Sequence, residues 1–200
     1  VADVDLYLDP VCPFSWVTAR WLLDAAPSTH TRVTLRQMNL AILNEGEDTD
    51  EKHRRMMERS TRLGRLFAAA VGERGPDAFA GLYDSIGRRI HVRQEDLTAA
   101  TIRAALAENG LGERLAEALD DSGYDQPVKQ AHQASQDALG DEAGSPIIAV
   151  DGRAFSGPVL TRTPKAQDGV RLLEAVLTMA GAPEFAALQR PYQGPPTIDA

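Results

Sequence analysis

The stretch Val4-Asp5-Leu6-Tyr7-Leu8-Asp9-Pro10-Val11-Cys12-Pro13-Phe14-Ser15-Trp16 decides how the rest of the chain is read. Residues 4–8 are short and apolar-rich and run into the breaker Asp9-Pro10, the pattern of a strand and its exit. Pro13 suits the first turn of a helix, where a missing N–H has no partner to lose. Trp16, Ala19, Leu22 or Leu23, and Ala26 keep helical spacing, so residues 13–26 read as a helix. The one cysteine of the chain sits at this junction. A thiol at a helix N-terminus faces unsatisfied backbone N–H groups and the positive end of the macrodipole, and both favour the thiolate. Cys12 is therefore expected to be a nucleophile of lowered pKa. The competing reading is a small buried core cysteine.

Outward from the junction, residues 32–39 alternate with Val33, Leu35 and Gln37 on one face and read as a second strand. Strand–helix–strand implies a right-handed parallel crossover. The next stretch is helical, with candidates at 49–72, 76–90, 95–109, 112–119 and 126–139, punctuated by Gly72 to Pro76, Asn109-Gly110 and Asp121 to Gly123. Strand signals return at 147–150 and 153–155, joined by the hairpin dipeptide Asp151-Gly152. A last helix spans 165–180, and the proline-rich tail from Arg190 is expected to trail over the surface. The order is that of an α/β protein, a thioredoxin fold with a large all-helical insertion. The expected division is a thioredoxin-fold domain at 1–45 and 143–200 and a helical insertion at 46–142.

Composition narrows the partners. The 200 residues carry 43% hydrophobic and 25% charged side chains, ordinary for a globular chain. The net charge of −8 repels phosphate backbones, so no nucleic-acid partner is expected. Basic clusters at 52–55 and 88–93 read as solvated helix faces, with a local anion site as the other reading. A single cysteine excludes an intrachain disulfide framework. No apolar run approaches the roughly 20 residues of a membrane span, and the N-terminus runs straight into a strand with no leader pattern, so a cytoplasmic location is expected. His30, His53, His91 and His132 show no metal-ligand spacing with one another or with Cys12, so no metal is expected. His91, after Arg88-Arg89, reads as a surface histidine or an anion contact.

Two further features sit at chemically informative places. Ser15 stands where C-x-x-C proteins carry a second thiol, which closes the dithiol route for releasing a mixed disulfide. Its hydroxyl can donate to a thiolate or a bound sulfur, or it is a plain N-terminal helix serine. Gly144-Ser145-Pro146 precedes the third strand, and an X-Pro bond is the realistic place for a cis peptide. From spacing alone, a trans turn proline is the default.

The strand–C-P-x-x–helix start and the x-Pro before the third strand resemble the DsbA-like thioredoxin superfamily. The segments 9–14, 38–45, 87–91 and 144–160 are similar to those of the actinobacterial mycothiol-dependent nitroreductase family, with C-P-F-S in place of C-P-W-C. The resemblance implies a reduced low-molecular-weight thiol, mycothiol, as co-substrate, attack by Cys12, and a small electrophilic substrate held against the helical insertion. It implies thiol-binding roles for Pro13, for Phe14 where the family has tryptophan, and for Ser145 and Pro146 with a cis bond between them. It also carries over Asn44 as a polar contact and His53 near a family tyrosine. Cys12 and Ser15 are the expected catalytic pair. The function implied is a monothiol oxidoreductase reducing a small electrophile or disulfide, a nitro compound among them. The alternative is a thiol-dependent isomerase or transferase resembling kappa-class glutathione transferase and 2-hydroxychromene-2-carboxylate isomerase, and a third class is a non-catalytic binding module. A homodimer is compatible with each.

Overall fold

A computed structural model of the chain describes residues 1–199. Strand β1 (Asp3–Leu8) leads into helix α1 (Pro13–Ala25), and a 3-10 turn (Ala26–Thr29) returns the chain to β2 (Arg32–Gln37). The helices α2 (Leu40–Leu43), α3 (Glu51–Arg74), α4 (Asp77–Gly87), α5 (Ala99–Glu108) and α6 (Asp125–Leu139) follow. The chain closes with β3 (Ile147–Val150), β4 (Arg153–Ser156) and α7 (Ala166–Gly181). No strand lies between Gln37 and Ile147 among the described residues. The sheet order is β2-β1-β3-β4, with β1 parallel to β2 and both later pairs antiparallel. This is the thioredoxin order with helices inserted after its second strand.

Side-chain alternation along the strands sets the layers. Val4, Leu6 and Leu8 of β1, with Ile148 and Val150 of β3, enter one core with Trp21, Leu22 and Leu173. Tyr7, Ile147 and Ala149 point to the other face, where Met38 and residues of α6 cover them. The hairpin turn has both central residues at positive φ, Asp151 at 47° and Gly152 at 80°, as a tight two-residue connection demands.

The helix starts follow from local chemistry. The Asp50 carboxylate accepts from the His53 N–H at 2.8 Å and begins α3, and the Thr98 hydroxyl does the same for Thr101 at 3.2 Å in α5. Three expectations are corrected. The expected helix at 76–90 ends as α-helix at Gly87 and continues as a π turn, Arg88–Val92. At this junction the chain packs closely on α1: a Cβ on Gly87 would lie 2.3 Å from the Trp16 ring. The segment at 113–120 is a 3-10 helix rather than an α-helix, anchored by buried Ala118 and Leu119. The basic clusters are paired rather than open to an anion: Arg54 and Arg55 bond Glu51, Arg88 bonds Asp84, and buried Arg89 bonds Glu108 at 2.6 Å.

Candidate active site

The site is built where the exits of β1 and β2, the start of α1 and the entry to β3 meet. Cys12 is the N-cap residue of α1, with an extended backbone and Pro13 at the first helical position. Its amide bonds the Asp9 carbonyl at 3.0 Å, closing the turn between β1 and α1. Its Sγ donates to the Ser145 carbonyl at 3.4 Å. The Ser145–Pro146 peptide is cis, as is Gly157–Pro158. The Ser145 hydroxyl accepts the Asp9 N–H at 2.9 Å and shares a short hydrogen bond with the Ser15 hydroxyl. Cys12, Ser15, Ser145 and Pro146 are thus brought together, with Pro13 setting the helix start.

Cys12 is buried, 6% exposed, and this corrects the expected pKa. Burial pushes its thiol up, since a charge on sulfur would be taken out of water. The Ser15 hydroxyl and the backbone N–H groups of Ser15 and Phe14 pull it down, and the buried Asp9 carboxyl pushes it up again. Burial wins, so the resting form is the thiol. The helix terminus lowers the cost of ionisation without making the thiolate the ground state.

Asp9 was read from sequence only as a strand breaker, yet it organises the site. It is fully buried. One oxygen accepts the Val11 N–H at 2.9 Å, an Asx turn that shapes the approach to Cys12. The other accepts the Leu40 N–H at 2.7 Å and the Ser60 hydroxyl at 2.5 Å. Burial raises its pKa, and these three donors pull it back. One carboxyl therefore ties the cysteine loop to α2 and α3. The signal in the sequence is an aspartate three residues before the cysteine at the strand–helix junction.

His91 is neither a surface histidine nor an anion contact. Its Nε2–H donates to the Pro10 carbonyl at 2.8 Å and its ring stacks on Trp16 at 5.7 Å. Burial holds its pKa down at about 4, so it is neutral. Thr18 likewise reaches across to the Pro158 carbonyl at 2.9 Å and ties α1 to the loop after β4.

Phe14 is half-buried under the edge of Tyr192, with ring centroids 5.3 Å apart. The tail therefore does more than trail: Thr197 bonds the Thr161 carbonyl at 2.8 Å and Pro196 is buried. Asn44 and His53 are grouped with each other in a cavity of 270 Å³ whose lining does not include Cys12. The Asn44 amide donates to the Leu40 carbonyl at 2.7 Å, and His53 Nε2 is buried without a partner among the described residues. A larger cavity of 620 Å³ runs past Trp16, Arg20, Trp21, Arg88 and Lys165.

This architecture has known counterparts. A probable DsbA oxidoreductase from Streptomyces coelicolor superposes with a TM-score of 0.63 at 16% identity, covering 100% of this chain and 95% of its own. The cytosolic disulfide reductase DsbM from Pseudomonas aeruginosa, solved with GSH, gives 0.57 at 18% identity, covering 88% and 99%. In sequence, the uncharacterized protein Rv2286c of Mycobacterium tuberculosis is 28% identical over 193 residues, 96% of this chain and 83% of that protein. Residues 11–190 match the family described as "Rv2466c-like: Mycothiol-dependent nitroreductase Rv2466c", a span that takes in Cys12, Ser15, Asp9's partners on α2 and α3, and the Ser145–Pro146 loop. The chain belongs to the Rv2466c-like, mycothiol-dependent nitroreductase family.

Proposed function

We propose that this protein is a cytoplasmic thiol-dependent oxidoreductase in which Cys12 works alone, with mycothiol as the reducing thiol and a small electrophile, disulfide or nitro compound as substrate. The observation that carries the reading is the pairing of Cys12 with Ser145 across the loop–helix junction, with a buried serine in place of the second thiol.

In disulfide exchange, the Cys12 thiolate attacks one sulfur of the substrate and bonds to it, and the other half leaves as a thiolate that takes up a proton. A molecule of low-molecular-weight thiol, as thiolate, then attacks the sulfur held on Cys12. The mixed disulfide leaves with that sulfur, and Cys12 regains its electron pair. With a nitro compound, two thiols supply two electrons and two protons and leave as a disulfide, while the nitro group becomes a nitroso group and its lost oxygen leaves as water. The Ser15 hydroxyl and the N–H groups of Phe14 and Ser15 stabilise sulfur-borne charge in each step. Phe14 and Pro13 supply the apolar rim, and Asn44 and His53 contact the distal part of the substrate or thiol.

A second reading is favoured by the protonated resting thiol. A site that holds Cys12 as a hydrogen-bonded thiol is also suited to gripping the sulfur of a cofactor thiol that itself does the chemistry, as in an isomerase or transferase. Intact mass after incubation with mycothiol disulfide or glutathione disulfide, with turnover of Cys12→Ser alongside, separates the two. The monothiol reading expects one thiol added per chain at Cys12 and no turnover in Cys12→Ser. No adduct and full turnover in Cys12→Ser would reject it in favour of the cofactor-holding reading.

A further inference from the structure

The tail after α7 is tied down at both ends and free between them. At its start, the Phe185 N–H donates to the Ala182 carbonyl at 3.1 Å, and the Phe185 ring meets Phe155 of β4 edge-on, with centroids 5.8 Å apart. At its end, the Thr197 N–H donates to the Thr161 carbonyl at 2.8 Å, Pro196 is buried and Ile198 packs on the main core. Residues 186–195 between these anchors are exposed and form no backbone hydrogen bond among the described residues. Within this strap, the Tyr192 ring stands against Phe14, centroids 5.3 Å apart and planes 65° from parallel.

The place of that contact gives it meaning. Phe14 lies two residues after Cys12 in the first turn of α1, and its backbone N–H is one of the donors that stabilise charge on the Cys12 sulfur. Phe14 and Thr18 are one turn apart on the same face of α1. That face is turned to the loop after β4, where the Pro158 carbonyl accepts the Thr18 hydroxyl at 2.9 Å. The same loop is joined to the other neighbour of the sulfur: the Gly157 N–H donates to the Pro146 carbonyl at 2.8 Å, next to the Ser145 carbonyl that takes the thiol proton. Strap, loop and Ser145–Pro146 turn therefore adjoin one flank of the start of α1. Exposed apolar surface is gathered there. Of the five large hydrophobic side chains exposed among the described residues, Val159, Leu188 and Tyr192 belong to this loop and this strap. Tyr192 keeps 47% of its surface open even with a partner ring in contact. Exposed apolar side chains that are grouped rather than scattered mark a ligand contact.

We infer that Tyr192 is a specificity-determining residue of the Cys12 site, its ring and that of Phe14 forming an aromatic wall that takes a flat aromatic group of the electrophile. The inference rests on the monothiol reading, with Cys12 as the reacting sulfur. Edge-on or offset contact between rings adds to the apolar area they bury, so a ring on the substrate is held more tightly than an aliphatic chain of similar size. The tail is then part of the site.

The test is the rate at which reduced Cys12 takes up one half of an aromatic disulfide, dithiodipyridine, and of an aliphatic one, hydroxyethyl disulfide. In each case the Cys12 thiolate bonds one half of the reagent and expels the other half as its thiolate. Intact mass follows the reaction in the wild type, Tyr192→Ala and Tyr192→Phe, and comparing each variant with the wild type on the same reagent removes the difference in intrinsic reactivity. Tyr192→Ala is expected to react roughly two- to tenfold more slowly with the aromatic disulfide and at the wild-type rate with the aliphatic one. Tyr192→Phe keeps the ring and is expected to match the wild type with both. Equal changes with the two reagents in Tyr192→Ala would assign the ring to general access or packing, and no change with either would remove it from recognition. Both outcomes overturn the inference while the monothiol reading stands. Uptake of neither reagent by the wild type would bring down that reading, and the inference with it.

Discussion

His91 makes the stability of this protein depend on acid in a way that can be worked out in advance. Burial against Trp16, only partly offset by the bond to the Pro10 carbonyl, holds its pKa at about 4 in the folded chain, against 6.5 when exposed. Because the folded pKa is the lower one, the unfolded chain takes up the proton first. Stability is lost as pH falls through 6.5, and the loss levels off below 4. Between pH 7 and pH 5 this linkage removes about 2 kcal/mol. For a chain of this length that is a Tm shift of roughly 4–8 °C. His91→Gln keeps an N–H donor for the Pro10 carbonyl and removes the proton-binding group. His132, whose pKa burial also lowers, contributes in the same sense, so the quantity to measure is a difference of differences. Thermal unfolding of wild type and His91→Gln at pH 7 and pH 5 gives it. The wild type is expected to lose roughly 4–8 °C more than the variant over that interval. Equal acid sensitivity of the two proteins would refute the assignment of His91 as a half-buried, neutral histidine.

Ser15→Ala removes the first of the groups that pull the Cys12 pKa down and leaves the Ser145 hydroxyl with one partner fewer. A hydrogen bond to a charged group contributes about 1.5–3 kcal/mol, so alkylation of Cys12 at pH 7 is expected to slow by about tenfold or more. An unchanged rate would show that the serine does not see the sulfur. Gly87→Ala forces a methyl to within 2.3 Å of the Trp16 ring. Overpacking of this kind costs about 1–3 kcal/mol, to be read from the urea midpoint; a neutral result would mean that the π turn moves freely away from α1.

Much of the fold was legible because its signals are local. An apolar run ending at Asp9-Pro10 marked β1, alternation marked β2, Pro13 marked the start of α1, and Asp151-Gly152 marked the hairpin, each within a few residues of the element it sets. The departures occur where a distant contact overrules local pattern. Periodicity through 76–90 continues without a break, and nothing nearby announces that the helix widens into a π turn after Gly87. The contact at that point is with Trp16, more than seventy positions upstream, whose ring occupies the space a side chain on Gly87 would need. The short helix α2 was missed for the opposite reason. Four residues are too few to show a period, and its start is fixed by Asn39 and by the Asp9 carboxyl rather than by its own sequence.

The site divides along the same line. Cys12, Pro13 and Ser15 could be placed from their position at a strand–helix junction, and Ser145-Pro146 from its place before the third strand. The charge state of the sulfur could not. The helix N-terminus, visible in the sequence, favours the thiolate, and the observed donors from Phe14 and Ser15 act in that direction. What reverses the balance is removal of water from the buried Cys12 side chain, whose sulfur lies against the Ser145 carbonyl. Burial is a property of the assembled fold, and no spacing encodes it. Asp9 shows the link most directly. Its carboxyl fixes the backbone before Cys12 through Val11, holds α2 through Leu40 and α3 through Ser60, and acts on the sulfur by its charge. A movement of α2 or α3 on ligand binding would therefore be felt at Cys12 through this one side chain. Asn44, which caps the end of α2, and His53 of α3 are the residues proposed to meet the distal part of the ligand. Hydrogen bonds already in place in the resting protein run from Asn44 through Leu40 to the Asp9 carboxyl, and from there to the Val11 amide beside Cys12.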